Sequence, residues 1–304
     1  MADNLNTLLS TFEESFYQRA QQMESVLLKS GVCDYKALRS AEENIQSMDR
    51  VNLQKTEGTN PEKIYQTWGT NNRKMVSERF TISLAIDKKK DDLEQVISPD
   101  GELIKQAKFG VARLIDTYGA RALLGSVDIA MAGRGSSNII TAAADGVLTV
   151  DATAGLSYAK ILEARKNFIK NDVDAMDYNK SIFLGTQTEW GALMNEDKFI
   201  NNDFINSRPV ESGNVPNIFG SNFAFLGGSE SGFTKENPIL EETSGTRKCI
   251  MACPKSLAIQ LSGLKINVSE DPDKYADSRV ITFLIYVGAM RLEGAKVQQI
   301  TTTI

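Results

Sequence analysis

Along the first segment, apolar side chains recur every three or four residues: Leu5, Leu8, Leu9, Phe12, Phe16, Ala20, Met23 and Leu27, with Glu13, Glu14, Arg19 and Glu24 between them. That period predicts an amphipathic helix, and Gly31 follows as its stop. The pattern then breaks. Residues 32–80 are polar and punctuated by Gly58, Pro61 and Gly69. Short apolar flanks stand on either side, at Val51 and Leu53, then at Met75 and Val76 and the alternating Phe80–Ile86. Two strands around a long polar loop predict an extended β-hairpin arm. Such an arm has little to bury within its own chain. Its ordering entropy is better offset by lying across another molecule. The run DKKKDD at 87–92 mixes both signs of charge and reads as a solvated turn.

The clearest helix comes next, over 98–125. Ser98 suits the N-cap, Pro99 the first helical position, and Asp100 and Glu102 the positive end of the dipole. Ile104, Ala107, Val111, Leu114, Ile115, Tyr118 and Ala122 then form one apolar stripe. Residues 126–155 are rich in small side chains and predict loop and strand. A second helix runs through SYAKILEARKNFIKND, with Ile161, Leu162, Ala164, Phe168 and Ile169 facing inward. SIFLG predicts a strand and TEWGALM a short helix. Residues 195–246, rich in Asn, Gly and Ser, predict an excursion with a strand at Phe223–Leu226. The chain closes with strands at Cys249–Ala252, Leu264–Val268, Val280–Leu292 and Ala295–Ile300, the first running into a helix start at PKS. Helices and strands in this irregular order predict an α+β fold.

Composition narrows the chemistry. The chain of 304 residues contains no histidine. That removes Ser-His and Cys-His nucleophile pairs and imidazole metal sites, while carboxylate or lysine chemistry stays open to an enzyme. Cys33, Cys249 and Cys253 are too few for a disulfide framework and form no zinc knuckle, so they read as buried thiols. GRGSSN at 133–138 and GGSESGFTK at 227–235 imitate phosphate loops. Gly232 is followed by Phe233, however, and Lys235 comes too late for a Walker pattern. The acidic pairs Glu13-Glu14, Asp91-Asp92 and Glu241-Glu242 are sequence neighbours that do not converge on one substrate. No catalytic residue, cofactor or metal is therefore expected. The net charge of −5 makes any contact with DNA local and weak. No window is apolar enough to span a membrane, and the start MADNLNTLLSTFEES lacks a secretory signal's pattern, so a cytoplasmic setting is expected.

Several segments, in this order, resemble the major capsid protein of tailed double-stranded DNA phages, the Hong Kong phage capsid fold. ERFTISLAIDKKKDDLEQVISPDGELIKQAKFGVARLIDTYGARALLG is similar to that family's strand, acidic turn and spine helix. Thr153–Asn171 with SIFLGTQTEWGALM is similar to the start of its central domain. The closing block ends in an R-L-x-G-A-K-V pattern carried by Arg291, Leu292, Gly294, Ala295, Lys296 and Val297. The match covers most of 75–300, and the polar stretch 195–246 departs from it. Specificity rests on the number and order of these signatures.

The resemblance implies an N-terminal arm (1–45), an extended hairpin loop (46–80) and a peripheral domain with the spine helix (81–150). It further implies an axial domain (151–262) and C-terminal strands returning to the peripheral domain (263–304). It implies self-assembly into hexamers and pentamers of an icosahedral virion shell, built in the host cytoplasm, with scaffolding, portal and decoration proteins and packaged DNA as further partners. Within it, Trp68, Arg73, Lys74 and Arg79 are candidates for contact with neighbours, as are Glu270, Asp271 and Asp273. Acidic loops near 269–278 would pair with the basic groups. An encapsulin-like compartment shares the fold and is the alternative, followed by a small α/β enzyme using carboxylate chemistry. Some members of this fold lock their shells by isopeptide bonds between a hairpin lysine and a late asparagine. Here no asparagine follows Asn267, so an uncrosslinked shell is expected.

Overall fold

A computed structural model describes residues 24–37, 42–48, 70–87, 99–131, 137–196, 220–226, 237–239, 245–270 and 278–303. The predicted first helix lies largely outside these residues, as do Val51 and Leu53 and most of 195–246.

Thirteen described strands form three sheets. The first has the order β1-β11-β12-β4, built from β1 (Cys33–Ala37), β11 (Leu257–Glu270), β12 (Ser278–Arg291) and β4 (Glu78–Asp87). β12 runs antiparallel to both neighbours, to β4 over Ser278–Val287 and to β11 as far as Arg291, while β1 covers only Leu257–Leu261 of β11. A register shift between Ser262 and Lys265 marks the place where β11 leaves that cover. β-Bulges of this kind bend and twist a ribbon.

The spine-like helix α2 (Pro99–Leu124) lies along this sheet. Its stripe is the one expected from sequence: Leu114 packs on Ile285 and Val287, with Val111 and Tyr118 beside it. Ile115, Ala120 and Leu123 pack with Leu257 and Ile259. Gly119 lets the short helix α1 (Val26–Lys29) approach, because a Cβ there would strike the end of Leu27. Gly31, with φ at +74°, ends that helix as the sequence suggests.

A second sheet, of order β7-β13-β10-β8-β9, forms the other half of the core. Its strands are β7 (Leu148–Ala152), β8 (Ile182–Gly185), β9 (Asn222–Phe225), β10 (Thr246–Ala252) and β13 (Val297–Thr303). Contiguous apolar runs in β8 and β10 follow from burial on both faces. Ile182, Leu184, Ile250 and Ala252 face the cluster shared with α2. Phe183, Cys249 and Met251 face the opposite cluster. There they meet Ile161, Ala164 and Phe168 of α3 (Tyr158–Lys170) and Leu193 of α5 (Gln187–Met194). Between these helices, the short α4 (Ala175–Tyr178) follows a turn. Cys249 and Cys253 lie buried, four residues apart along extended chain, or about 13 Å, which rules out a bridge between them.

The third sheet, β2-β3-β5-β6, is antiparallel throughout: β2 (Glu42–Met48), β3 (Thr70–Val76), β5 (Val127–Met131) and β6 (Ser137–Ile140). β2 and β3 form a hairpin whose connection spans residues 49–69. Gly288 of β12 allows the end of β3 to come close, with Met75 Cγ and Val76 O in contact range of a would-be Cβ.

Several expectations change. PKS is a turn with Lys255 at φ +55°, so β10 leads into β11 without a helix. Ile169 is 56% exposed on α3, and only Ile161, Ala164 and Phe168 of the predicted set are buried. The C-terminal strands do not return together to the sheet on α2. β12 does, whereas β13 inserts between β7 and β10, because the turn at Gly294–Lys296 redirects the chain after Arg291.

Candidate assembly elements and their anchors

Two buried aspartates tie the arm-like segments to the α2 region. Asp116 lies on the buried side of α2, 2% exposed. Its Oδ1 accepts from Ser25 Oγ at 2.6 Å and from the Leu27 amide at 3.1 Å, while its Oδ2 accepts from the Val26 amide at 3.1 Å. The Leu28 amide donates to Ser25 Oγ at 3.2 Å. The opening amides of α1, which have no helical partner, are therefore capped from α2 by a full negative charge. The described N-terminal residues 25–28 are thus fixed to α2. Burial pushes the nearby Cys33 thiol up to about 12, with the Asp116 charge adding to it, so this cysteine stays protonated.

Asp145 holds the base of the hairpin. Arg73 of β3 meets it end-on, with Nη1 to Oδ2 at 2.9 Å and Nη2 to Oδ1 at 2.7 Å. Arg291, at the end of β12, donates from Nε to Oδ2 at 2.8 Å. Its Nη1 also reaches Leu123 O at 2.7 Å and Gly125 O at 2.8 Å, so Arg291 caps the C-terminus of α2 with a positive charge. Arg73 Nη1 closes the cluster on Arg291 O at 3.2 Å. The Arg291 side chain is 0% exposed; burial lowers its affinity for the proton, and the bonded Asp145 carboxylate counters that. Gly294 abuts this cluster directly, since a Cβ there would collide with Asp145 O. The R-L-x-G-A-K-V pattern thereby acquires a physical reading. Its Arg caps α2, its Gly admits the Asp145 turn, and its Lys296 pairs with Asp177 of α4 at 2.7 Å as β13 begins.

A third buried acid joins α5 to the second sheet. Glu189 accepts from Thr302 Oγ1 at 2.8 Å, and from both the amide, at 2.8 Å, and the hydroxyl of Thr186, closing a capping box. Arg247 Nη1 donates to Thr186 Oγ1 at 2.6 Å. Burial alone would raise Glu189, but these hydroxyl and amide donors outweigh it and hold the carboxyl below its ordinary value.

The expected contact residues divide accordingly. Trp68, Asp271 and Asp273 lie outside the described residues. Arg73 was expected on a surface meeting acidic loops; it is instead buried inside the subunit, because Asp145 and Arg291 O satisfy its fork. Lys74 is half-buried beside it on β3, and Arg79 is exposed on the edge strand β4. Glu270 ends β11 opposite Arg279, while Arg79 stands opposite Tyr286. Seven positions of β12 separate those two rungs, about 24 Å, so Arg79 and Glu270 cannot pair within one subunit. Among the described residues no group of three metal-ligating side chains occurs, and no helix is long and apolar enough to cross a membrane.

Sequence reasoning missed Asp116, Asp145 and Glu189, and the capping role of Arg291. A faint signal existed: Asp116 interrupts an apolar stripe, and Arg291 ends a long apolar strand.

The family model described as phage capsid protein matches residues 6–304. No curated protein matches the sequence. Among solved structures, the capsid of cyanophage P-SCSP1u superposes with a TM-score of 0.65 at 8% identity, covering 95% of this chain and 91% of that one. The acid-stable capsid of Helicobacter pylori bacteriophage KHP30 gives 0.65 at 10% identity, with 95% and 94% covered. The mature capsid of bacteriophage PhiM1 gives 0.62 at 16%, with 94% and 90% covered.

Proposed function

Because the chain belongs to the phage capsid protein family, a family of structural virion components rather than enzymes, we propose that the hairpin β2–β3 is the arm by which each subunit grips its neighbour in an icosahedral shell. Self-association is the protein's activity, and its α+β fold is that of phage capsid structures. The observation that carries the arm reading is the hairpin's build. It is rooted by a buried charged cluster yet connected through a polar stretch over 49–69. A rigid root with a polar tip suits a lever laid across another copy better than a core element.

The three sheets support a finer partition. The sheet β1-β11-β12-β4 with α2 would form the peripheral domain, and the sheet β7-β13-β10-β8-β9 with α3 and α5 the axial domain around the capsomer axis. Residues 297–303 then count with the axial domain. Exposed Arg79 would meet the acidic loop around Glu270, Asp271 and Asp273 of a second copy, with Lys74 and Trp68 contributing near the hairpin. Each exposed pair adds at most about 1 kcal/mol, and copy number makes the sum large. Hexamers and pentamers, a scaffold, a portal and decoration proteins complete the assembly. Packaged DNA would be contacted weakly and without sequence preference, in keeping with the net charge of −5.

Light scattering on the purified protein across a concentration series, alone and with a co-expressed scaffold, tests this reading. Capsomers or closed shells are expected. A species that stays monomeric under both conditions contradicts it.

A further inference from the structure

The cluster around Asp145 contains more charge than a stabilising core needs. One carboxylate faces two guanidinium groups, and Arg73 Nε and Arg291 Nη2 are buried with no hydrogen-bond partner among the described residues. Burying three charges and leaving one positive charge in excess is costly, and apolar side chains of similar volume often hold such a site as well or better. What apolar groups cannot supply is direction. The Arg73 fork meets both oxygens of one carboxylate, which fixes the two planes relative to each other. That carboxylate sits on a turn abutting Gly294, and Arg291 locks it to the end of α2. That bidentate contact, added to the pairing of β3 with β5 and the buried Met75, fixes the direction of β3 with respect to α2.

We infer that Arg73 and Asp145 are positioning residues: they set the angle at which the hairpin leaves the body, and through it the curvature of the shell. The inference rests on the reading of the hairpin as an inter-subunit arm. It differs from a folding role in what it predicts for Arg73→Met. That substitution leaves Asp145 and Arg291 as a balanced pair, so the subunit keeps its fold while the hairpin loses its aim. Arg73→Lys keeps the charge and loses the fork, so it does not restore assembly.

The test compares the parent, both variants and a chain lacking residues 51–67, in full-length protein otherwise. Melting of unassembled subunits, amide exchange and particle diameter by electron microscopy are read for each. Both variants are expected to melt within about 4 °C of the parent. Exchange across Thr70–Val76 should rise by about tenfold, with Ile182–Gly185 unchanged. Particles should be absent or spread in diameter. Parental particles from both variants would overturn the inference. If Arg73→Met fails to fold, Arg73→Lys decides alone, and unfolding of both marks a folding element and also overturns it. Should the 51–67 deletion assemble normally, the arm reading itself fails. If only that deletion blocks assembly, the arm stands and the positioning role falls.

Discussion

Removing the Asp116 carboxylate tests the anchor of α1 most sharply. In Asp116→Ala, the Val26 and Leu27 amides and the Ser25 hydroxyl lose their acceptor in a buried place. A hydrogen bond to a charged group is worth about 1.5–3 kcal/mol, and an unsatisfied buried donor costs a similar amount. The three are not additive, because Ser25 can turn its hydroxyl and the aspartate's own desolvation is relieved. The net loss should be about 3 kcal/mol, a large share of the roughly 5–15 kcal/mol that holds a domain folded. Asp116→Asn separates charge from shape. An amide oxygen placed at the Oδ1 position still accepts from Ser25 and Leu27, but its NH2 then faces the Val26 amide donor. Its loss should be smaller, about 2 kcal/mol. Urea unfolding of unassembled subunits measures both, with an unchanged slope showing that stability alone has moved. Amide exchange at Val26–Lys29 should rise in step. If Asp116→Ala unfolds within about 0.5 kcal/mol of the parent and exchange there is unaltered, the anchor is not what holds α1.

Deleting residues 51–67 and closing the hairpin with a short turn spares β2 and β3, so the subunit should melt like the parent while assembly fails; light scattering and microscopy read the two outcomes. Glu189 gives a pH signature. Its carboxyl sits below the ordinary 4.5 when folded, so its contribution is present above that value and is lost as pH falls through the lower folded one. Glu189→Gln should therefore be less stable near neutrality and show a shallower acid loss, as urea midpoints across about pH 3 to pH 7 will report. Mature particles boiled in SDS with reductant should run as a single subunit band at or below 33.4 kDa, since no asparagine after Asn267 is available for an isopeptide bond; a ladder surviving reductant would refute this.

Local pattern was enough to read α2, α3, β8 and β12, where periodicity and caps agree with burial. Pro99 opens α2 at the position its fixed φ suits, and the Leu114–Ile115 stripe faces the sheets. β2 was illegible because EENIQSM carries no apolar alternation; pairing with β3 rather than burial makes it a strand. Ile169 misleads because it is apolar and adjoins the buried Phe168, yet it lies one step round α3, on the exposed side. The final strand could not be placed, since VQQITTT fits any sheet and only the turn at Gly294 selects its neighbours. The anchors were hidden for the same reason. Asp145 lies 72 residues from Arg73 and 146 from Arg291, and no local rule connects such positions. Arg73 looked like a surface cation because charge in a polar segment usually is one.

In the proposed assembly, this chain closes shells by laying its hairpin over a neighbour. A cryo-electron microscopy reconstruction of particles assembled from the purified protein, with scaffold if required, tests it directly. A closed icosahedral shell of hexamers and pentamers is expected, in which the density continuing from Met48 and returning at Thr70 crosses an adjacent subunit. A closed shell whose hairpin density folds back on its own subunit would contradict it, as would a protein that forms no ordered assembly.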